Sequence, residues 1–448
     1  MLIPASKPDP NLCKAIVSSR VLGYPSPQII NWEQTFDDPA FVEGGSHLAK
    51  INGTAQYLYS LDDTHNDDLV LMLDGYDAWI QLRPQTAVDR FLDINARANK
   101  RIDATFGGKS AGKMSVRQDI IFGAQKRCWP WSVDDPPCYA VPQSSLPPNI
   151  YGPETDTDVN DELNPYIKYR QRFLNSGVAM GRVGAMRKMF NQALAQAPQD
   201  ANFGSDQYIF SHILGDQELY REILRRDTGV KPRDDLNEAH IEEVRAKAAA
   251  RQDGSFEFGI GLDYGSEIGL NTVFAEDDTE WIQFSDKDQL HEAQNDRRIP
   301  RKNRRLETVA EDINATAPPF STPLGTSLSG TRWQDVSLFT DVWTGITPVV
   351  VHHNAHRNGM KILRETWWPK IWFQKHLRAL LDASGAGPTS YVAVGGPGGR
   401  EYWPEEVLSG GDGKGNVARD ARSGRWLQYR DICGDYDQEL FRDGRGWA

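Results

Sequence analysis

The sequence has 448 residues, of which 39% are hydrophobic and 25% are charged, and its formal net charge is -12. These values are ordinary for a globular protein with one large domain or two smaller ones. The acidic charge argues against a nucleic-acid partner, and the lack of any run of about 18 apolar residues argues against a membrane span within the chain.

The N-terminal residues predict a strand, a helix and a second strand. LIPAS (2–6) has the character of the end of a strand. Asp9 can cap the following helix, Pro10 suits its first turn, and Gly23 can end it. PQIINW (27–32) then predicts the second strand of a parallel α/β unit. Because the sequence opens within a strand, we expect a targeting or membrane-anchoring segment upstream of it.

Helices and strands continue to alternate through the middle of the chain. LVLML (69–73) is a continuous apolar run, which is typical of an interior parallel strand that is covered on both faces. The pattern further predicts a helix at 46–60, a strand at 119–124, and a strand with a turn at 173–181, where Asn175-Ser176-Gly177 form the turn. Helices are predicted at 183–195 and at 205–224, the second capped by Ser205.

The second half of the chain alternates between polar segments and strands. WQDVSLF (333–339) and ITPVVVHH (346–353) predict strands, whereas the basic run RRIPRKNRR (297–305) predicts a solvated linker. The predicted fold is α/β, with a mostly parallel central sheet flanked by helices. We predict one domain of this fold at 1–380. It would contain a polar helical insertion at 225–255 and a charged, Ser/Pro-rich excursion at 286–330. A Gly- and Trp-rich extension at 381–448 would pack on the same domain.

Two aspartates directly follow the third predicted strand. Ligands of open α/β sheets bind at the carboxyl ends of the strands, where Asp74, Asp77 and His352 all fall. Two carboxylates three residues apart can converge on one Mg²⁺ or Mn²⁺ ion, which keeps coordination positions for phosphate oxygens. The alternative is that Asp74 caps a turn and Asp77 is merely exposed. The residues alone thus predict a metal-assisted enzyme that acts on a phosphate-bearing ligand.

The segment VVVHHNAH (349–356) contains three histidines. On a strand, His352 and His353 point to opposite faces, so one of them at most can reach the metal. A hydrogen-bonded structural histidine is one alternative, and a helical metal pair of His352 and His356 is another. The apolar residues before His352 favour a strand.

Other motifs carry less information. GGKSAGKM (107–114) is close to a phosphate loop but has a methionine where a hydroxyl should bind Mg²⁺, and GGPGGR (395–400) lacks the GxGxxG spacing. Cys128 and Cys138 flank a Pro-rich loop and can form a disulfide or stay as thiols. In the same loop, CWPW (128–131) offers aromatic planes that either stack on sugar rings or pack in the core.

Taken in order, six short motifs resemble those of the glycosyltransferase domain of procollagen lysyl hydroxylases and of the procollagen galactosyltransferases. These motifs are Asp74-Gly75-Tyr76-Asp77, FGAQKRCWP (122–130), Leu174 to Gly177, Asp206-Gln207, Leu262-Asp263 and Val350 to Ala355. Ala5-Ser6, and Gly44-Gly45 with Lys50, fit two further segments of that family. The resemblance spans residues 1 to about 375.

The resemblance implies a GT-A fold and a Mn²⁺-dependent enzyme that transfers glucose or galactose from a UDP-sugar to a hydroxyl acceptor, with Mg²⁺ as the alternative ion. By position, the metal ligands would be Asp74, Asp77 and His352. The nucleotide would be bound by Ala5, Ser6, Lys50, Asp74, Gly75 and Tyr76. The sugar and acceptor would be bound by Gln125, Trp129, Asn175, Ser176, Gly177, Asp206 and Gln207. The catalytic residues among them would be Asp206, Trp129 and Asn175, with Asp206 as the base of an inverting reaction.

The chain departs from the family at several positions, which leaves acceptor recognition open. Gln125 stands where the family has a glutamate, and the acidic run before Asp206 is shortened. His353 and Ala355 replace two glycines, and Lys361 is a distant candidate for a lysine that follows them. We find no oxygenase pattern with iron ligands in this sequence and expect no hydroxylation.

Three functions are compatible with the sequence. The leading one is a glycosyltransferase in the lumen of the secretory pathway (ER or Golgi), where the Asn-x-Thr triplets at Asn52 and Asn314 permit glycosylation. The second is a catalytically inactive module that binds a nucleotide sugar or a glycan. The third is a metal-dependent phosphohydrolase. Release of UDP separates the first from the second, and cleavage of simple phosphate esters identifies the third.

Overall fold

A computed structural model describes residues 1–36, 45–107, 116–198, 204–321, 328–354, 361–384, 388–408 and 415–445. The strands are β1 Leu2–Pro4, β2 Gln28–Ile30, β3 Leu69–Leu73, β4 Ala78–Ile80, β5 Ile120–Gln125, β6 Phe173–Arg182, β7 Ile260–Asp263, β8 Gly269–Asn271, β9 Thr279–Gln283, β10 Ser337–Asp341, β11 Val350–His352, β12 Ala393–Gly395, β13 Arg400–Tyr402, β14 Asn416–Asp420 and β15 Trp426–Gln428. The helices are α1 Pro10–Leu22, α2 Gly45–Ser60, α3 Pro84–Phe106, α4 Pro136–Tyr139, α5 Val183–Gln196, α6 Asp206–Asp227, α7 Glu238–Ala249, α8 Lys287–Asp296, α9 Glu311–Asn314, α10 Leu363–Trp367, α11 Leu377–Ala383, α12 Glu405–Leu408, α13 Tyr429–Cys433 and α14 Asp437–Phe441.

Most strands join one large mixed sheet. In the described part of the chain it has eleven strands in the order β15-β14-β2-β1-β3-β6-β5-β8-β11-β4, and β7 pairs with β5. Strands β1, β2, β3, β5, β7, β8, β11 and β14 run in one direction, whereas β4, β6 and β15 run in the other. The fold is therefore of the predicted α/β class, with a mostly parallel sheet.

Helices cover both faces of this sheet, and β3 shows why its sequence is apolar throughout. Leu71 and Leu73 belong to the core cluster that includes α1 and α3, whereas Val70 and Met72 belong to the cluster that includes α2, α5 and α6. The interior position of β3 is confirmed. Its pairing is parallel to β1 but antiparallel to β6, so the expectation of an all-parallel environment is wrong on one side.

The predicted helix ends are also found. The Asp9 side chain accepts a hydrogen bond from the Asn11 N–H, and Gly23 ends α1 with a φ of 82°, a conformation that favours glycine. The Ser205 side chain likewise accepts from the Tyr208 N–H at the start of α6. None of the helices in the described ranges combines the length and the apolar character that a membrane crossing requires.

The predicted turn at Asn175-Ser176-Gly177 is instead part of a continuous strand, β6. The register between β5 and β6 shifts here, since Phe122 pairs with Ala179 and Gly123 pairs with Asn175. The polar triplet therefore interrupts the strand pairing without reversing the chain, as a bulge does.

The segment predicted to be an excursion at 286–330 contains α8 and α9, and its apolar residues Leu290, Ile299, Leu306 and Ile313 are buried in the main core. Arg297, at the start of the predicted linker, donates to the carbonyl oxygens of Asp277 and Thr279. The basic run is thus attached to the domain at its first residue and at Ile299, because both have partners in neighbouring elements.

The C-terminal residues are joined to the main sheet and to α1. β14 pairs with β2 at the edge of the main sheet, which the sequence did not predict. Cys433 in α13 forms a disulfide with Cys13 in α1. Cys128 and Cys138 form the second disulfide, which decides between the two states that the sequence left open.

Candidate metal centre

The carboxyl ends of the parallel strands bring the predicted metal ligands together. Asp74 follows β3, His352 ends β11, and Asp77 lies just before β4, which pairs antiparallel with β11. In this register His352 is opposite Ala78, and the His353 N–H donates to the Asp77 carbonyl oxygen at 2.6 Å. Strand pairing therefore fixes the position of Asp77 beside His352.

The three side chains point at a common space. His352 Nε2 lies 3.5 Å from Asp74 Oδ2 and 3.3 Å from Asp77 Oδ1. One ligand atom from each residue lies within 4.8 Å of the other two. Asp77 and His352 are buried, whereas 32% of the Asp74 side chain is exposed. The cluster therefore opens to solvent on the Asp74 side.

These residues fit a hard divalent cation. Two carboxylate oxygens and an imidazole nitrogen suit Mn²⁺ or Mg²⁺, and adjacent ligands of an octahedral ion with bonds of about 2.1 Å are about 3 Å apart. The observed spacings are slightly wider than that value. His352 Nε2 is also buried, and it has the two carboxylate oxygens as ion-pair neighbours but makes no well-formed hydrogen bond to either, which leaves a buried polar atom incompletely satisfied. A cation would satisfy that atom.

Two neighbours hold the imidazole of His352 in place. His352 Nδ1 lies 2.8 Å from Asn271 Oδ1, and the Asn271 amide in turn donates to the Ala124 carbonyl oxygen at 2.9 Å. Behind the ring, a Cβ added to Gly177 would lie 2.0 Å from His352 Cε1. Asn271 therefore orients Nε2 toward the carboxylates, and Gly177 provides the space that the ring occupies.

The electrostatics of the cluster are strongly coupled. Burial by itself would lower the pKa of His352, but the carboxylates of Asp77 and Asp74 outweigh it and raise that pKa to about 9. Burial would raise the pKa of both aspartates. Lys50 and His352 hold the pKa of Asp74 far below its usual value, and His352 also lowers the pKa of Asp77. Both carboxylates are therefore charged near neutral pH.

Lys50 connects the metal cluster to the predicted acceptor side. Its Nζ lies 2.6 Å from Asp74 Oδ1 and 2.8 Å from Asp206 Oδ2, and it donates to the Ser176 carbonyl oxygen at 3.0 Å. The side chain is 6% exposed. Burial lowers its pKa, but Asp206 and Asp74 raise it above its usual value, so the ammonium stays charged. The ammonium group thus donates hydrogen bonds to Asp74 and Ser176 and forms an ion pair with Asp206.

The predicted nucleotide-binding residues lie beside the cluster. The Tyr76 hydroxyl accepts a hydrogen bond from the Ser6 N–H at 2.9 Å, which joins the end of β1 to the segment after β3. A Cβ on Gly75 would lie 2.4 Å from the Pro4 carbonyl oxygen and 3.2 Å from the Ala5 side chain. Glycine at position 75 thus allows the two strand ends to approach closely.

The predicted sugar and acceptor residues form two groups. Asn175 donates from its amide to Gln125 Oε1 at 2.8 Å and accepts from the Gly177 N–H at 3.0 Å. Gln207 donates to the Trp129 carbonyl oxygen at 2.9 Å. Asp206 joins the second group to the cluster through Lys50. Trp129 is 47% exposed. The alternative that this tryptophan packs in the core is therefore wrong.

Two further residues border the cluster. His353 packs against Trp79 with ring centroids 3.9 Å apart, and the ring lies on the opposite side of β11 from His352, as predicted. The Lys361 ammonium contacts Asp77 Oδ2. The alternative ligand His356, along with Gly44, Ala355 and all but Gly107 of the phosphate-loop-like segment 107–114, lies outside the described residues.

No model of a known protein family matches the chain, and no curated protein is significantly similar to it. The family resemblance of the six motifs therefore stays a prediction.

Sequence reasoning missed Asn271. It ends β8, a three-residue strand next to β11, and it therefore shares the carboxyl edge with the candidate metal ligands. The sequence pattern that could have revealed this strand end is the short apolar stretch Ile268-Gly269-Leu270 before Asn271. That stretch is too short to stand out as a strand in the sequence.

Proposed function

We propose that the chain is a divalent-metal-dependent glycosyltransferase of GT-A architecture that transfers a hexose from a UDP-sugar to a hydroxyl acceptor. The observation that carries this proposal is the convergence of Asp74, Asp77 and His352 at the carboxyl edge of the sheet. This edge is the usual ligand site of open α/β sheets. A bound Mn²⁺ would neutralise charge that develops on the departing diphosphate.

The surroundings of the cluster support a nucleotide-sugar donor over a simple phosphate ester. The strand ends at Ser6 and Gly75 approach closely and carry Tyr76, whose phenol gives uracil or ribose an aromatic neighbour. On the other side, the polar groups of Gln125 and Asn175 form a hydrogen-bonded pair that suits a sugar. A phosphohydrolase requires neither feature.

The geometry around Asp206 favours retention of the anomeric configuration. Asp206 is 5% exposed, and its Oδ2 is held 2.8 Å from the Lys50 ammonium. A buried carboxylate that forms an ion pair with a lysine has little access to an acceptor hydroxyl, so Asp206 is poorly placed to act as a general base. In a retaining reaction the departing diphosphate can receive the proton, so no side-chain base is required. The configuration of the product, determined by NMR, tests this point.

Two disulfides support the proposed location in the secretory lumen. Disulfides form and persist in oxidising compartments and are rare in the cytosol. Here Cys13–Cys433 and Cys128–Cys138 account for all four cysteines. Asn52 and Asn314, the two candidate glycosylation sites, are both exposed.

The decisive experiment is to incubate the protein with Mn²⁺ and a panel of UDP-sugars and to measure released UDP. We expect release with one hexose donor, loss of release when EDTA removes the metal, and loss of release in Asp77→Ala. Trp129→Ala should keep UDP binding but slow transfer, because its exposed ring is on the acceptor side. Cleavage of p-nitrophenyl phosphate without any preference for uridine would contradict the proposal and favour the phosphohydrolase.

A second candidate is an inactive module that binds a nucleotide sugar. Gln125 favours it, because an amide that is hydrogen-bonded to Asn175 and to the Arg127 carbonyl oxygen cannot act as a base. This candidate predicts Mn²⁺-dependent UDP-sugar binding by calorimetry with no UDP release for any acceptor. Gln125→Glu would then be the variant in which to look for gained turnover.

A further inference from the structure

A second recess lies apart from the metal cluster. It is an open cleft of about 900 Å³ between the antiparallel pair of β9 and β10 and the segment that follows α10. Its floor is made by buried apolar residues such as Phe339, and hydroxyl groups of Thr331 and Ser337 also line it. A cleft of this volume is within the range of ligand-binding pockets.

Two half-buried tryptophans form one wall of this cleft. The rings of Trp281 and Trp367 meet edge to face with centroids 6.3 Å apart, and Phe339 packs against both at 5.3 and 4.7 Å. These contacts leave the tryptophans fixed yet still partly accessible. Rigid aromatic planes of this kind suit the flat apolar faces of sugar rings as well as those of nucleobases.

The charge in the cleft is positive, although the chain as a whole is acidic. Both carboxylates that line it are neutralised, Glu280 by Arg297 at 2.9 Å and Asp335 by Arg332 at 3.0 Å. Lys370 and Lys375 also line the cleft and are exposed.

Neither of these two lysines has an ion-pair partner among the residues that the structure describes. Two ammonium groups without an ion-pair partner therefore give the tryptophan-lined cleft a local positive charge, in a chain with a net charge of -12.

We propose that this cleft binds an anionic oligosaccharide, with sugar rings against Trp281 and Trp367 and carboxylate or sulfate groups against Lys370 and Lys375. The hydroxyl groups of the lining favour a sugar over an apolar ligand. The overall acidic charge disfavours a long polyanion such as nucleic acid, because repulsion grows with each phosphate beyond the cleft.

The cleft is connected to the metal cluster through one aromatic residue. The Trp367 ring lies 5.6 Å from that of His353, which directly follows the candidate ligand His352. Because the rings of His353 and His352 point to opposite sides of β11, the cleft and the metal cluster lie on opposite faces of that strand. The binding proposal itself does not depend on catalysis, since the cleft shares no residue with the metal cluster.

The test is calorimetric titration of the full chain, without Mn²⁺ or UDP, with three probes. The probes are a sulfated heparin hexasaccharide, hexagalacturonate, which carries carboxylates alone, and a DNA hexamer as a comparison polyanion. We expect at least one of the two oligosaccharides to bind, to bind more tightly than the DNA, and to quench tryptophan fluorescence. Which one binds distinguishes sulfate from carboxylate as the recognised group.

Two double variants make the test specific. We expect K370Q/K375Q to weaken oligosaccharide binding at least tenfold. The control K302Q/R305Q removes the same charge from exposed residues of the basic run and should change affinity less than twofold. Thermal unfolding of both variants should match the wild type, because all four side chains are exposed.

Three results would overturn the proposal: no binding of either oligosaccharide, equal losses in the two double variants, or DNA binding that is as tight as oligosaccharide binding. A negative result would leave the metal-centre proposal intact, since no probe requires the metal.

Discussion

His352 and Asp77 are adjacent because strand β11 pairs antiparallel with β4. His352 Nε2 lies 3.3 Å from Asp77 Oδ1, and the next N–H along the chain, that of His353, is bonded to the Asp77 carbonyl oxygen. Backbone pairing thus sets the distance between two side chains that are far apart in the sequence. A pair of side chains fixed by a sheet is rigid, and rigidity at these candidate metal ligands would favour a defined coordination geometry.

Asp77→Ala should remove metal binding and keep the fold. Its carboxylate is one of the two charged ligands, so we expect Mn²⁺ affinity to fall by at least about 100-fold, as even losses at supporting residues can cost 10- to 100-fold. The measurement is calorimetric titration with Mn²⁺, with and without UDP, and far-ultraviolet circular dichroism checks the fold. Asp103→Ala, at an exposed position, is the control. Unchanged Mn²⁺ affinity in Asp77→Ala would contradict the assignment.

Asn271→Ala should weaken metal binding through the orientation of His352. Its Oδ1 is the partner of His352 Nδ1 at 2.8 Å, and loss of such a partner typically costs about 10- to 100-fold in metal affinity. Asn271→Asp keeps an oxygen acceptor and should restore most of the affinity. The readout is again Mn²⁺ titration. If both variants lose affinity equally, Asn271 acts on the local packing and the orientation argument fails.

Lys50→Met should destabilise the protein, because two carboxylates lose their shared ammonium. Removing one partner of a buried ion pair typically costs about 3 to 5 kcal/mol, and we expect about 3 kcal/mol here because Asp74 is partly exposed. The free energy of unfolding in urea measures this loss. Added Mn²⁺ should recover more stability in Lys50→Met than in the wild type, since a cation also neutralises Asp74.

The control for that change is Lys188→Met, which breaks the exposed pair with Asp253 at 3.1 Å. Exposed pairs contribute at most about 1 kcal/mol. A loss in Lys50→Met as small as that in the control would mean that Asp74 and Asp206 are well solvated without the lysine, and Lys50 would then have no bridging role.

Asp341→Asn should change how stability depends on pH. Asp341 is 1% exposed, and burial together with the nearby Asp278 carboxylate raises its pKa to about 7. Because the pKa is higher in the folded state than in the unfolded chain, about 3.9, the folded state holds the proton more tightly. This contribution to stability is complete below about pH 4 and is lost as the pH rises to about 7 and above.

The asparagine variant keeps the Oδ1 acceptor for the Trp343 and Thr344 N–H groups but cannot ionise. At pH 8 we expect it to be more stable than the wild type by about 2 to 4 kcal/mol, because each tenfold difference in proton affinity between the folded and unfolded states corresponds to about 1.4 kcal/mol. At pH 4.5 the difference should fall to about 1 kcal/mol or less, because most of the proton-linked contribution is then present in the wild type. Urea unfolding at both pH values, with exposed Asp103→Asn as control, measures this. Parallel pH profiles for Asp341→Asn and wild type would show that Asp341 is not protonated near neutral pH.

Local sequence determined the elements whose signals are contained within a few residues. The apolar run before Asp74 specified a strand that is buried on both faces, and Asp9 with Gly23 specified the ends of α1, because capping and burial depend on neighbours along the chain. The rule that ligands collect at strand ends then identified Asp74, Asp77 and His352 as candidates. Those three side chains do meet.

Tertiary structure decided which side chains support that cluster. Asn271 behind His352, Lys50 between Asp74 and Asp206, and the disulfide between Cys13 and Cys433 all join parts of the chain that are distant in sequence. Such contacts depend on strand order and register, and each strand's own residues leave its neighbour unspecified. The sequence by itself thus indicated which residues can hold a metal, and the packing of the sheet determined how they are oriented, charged and held.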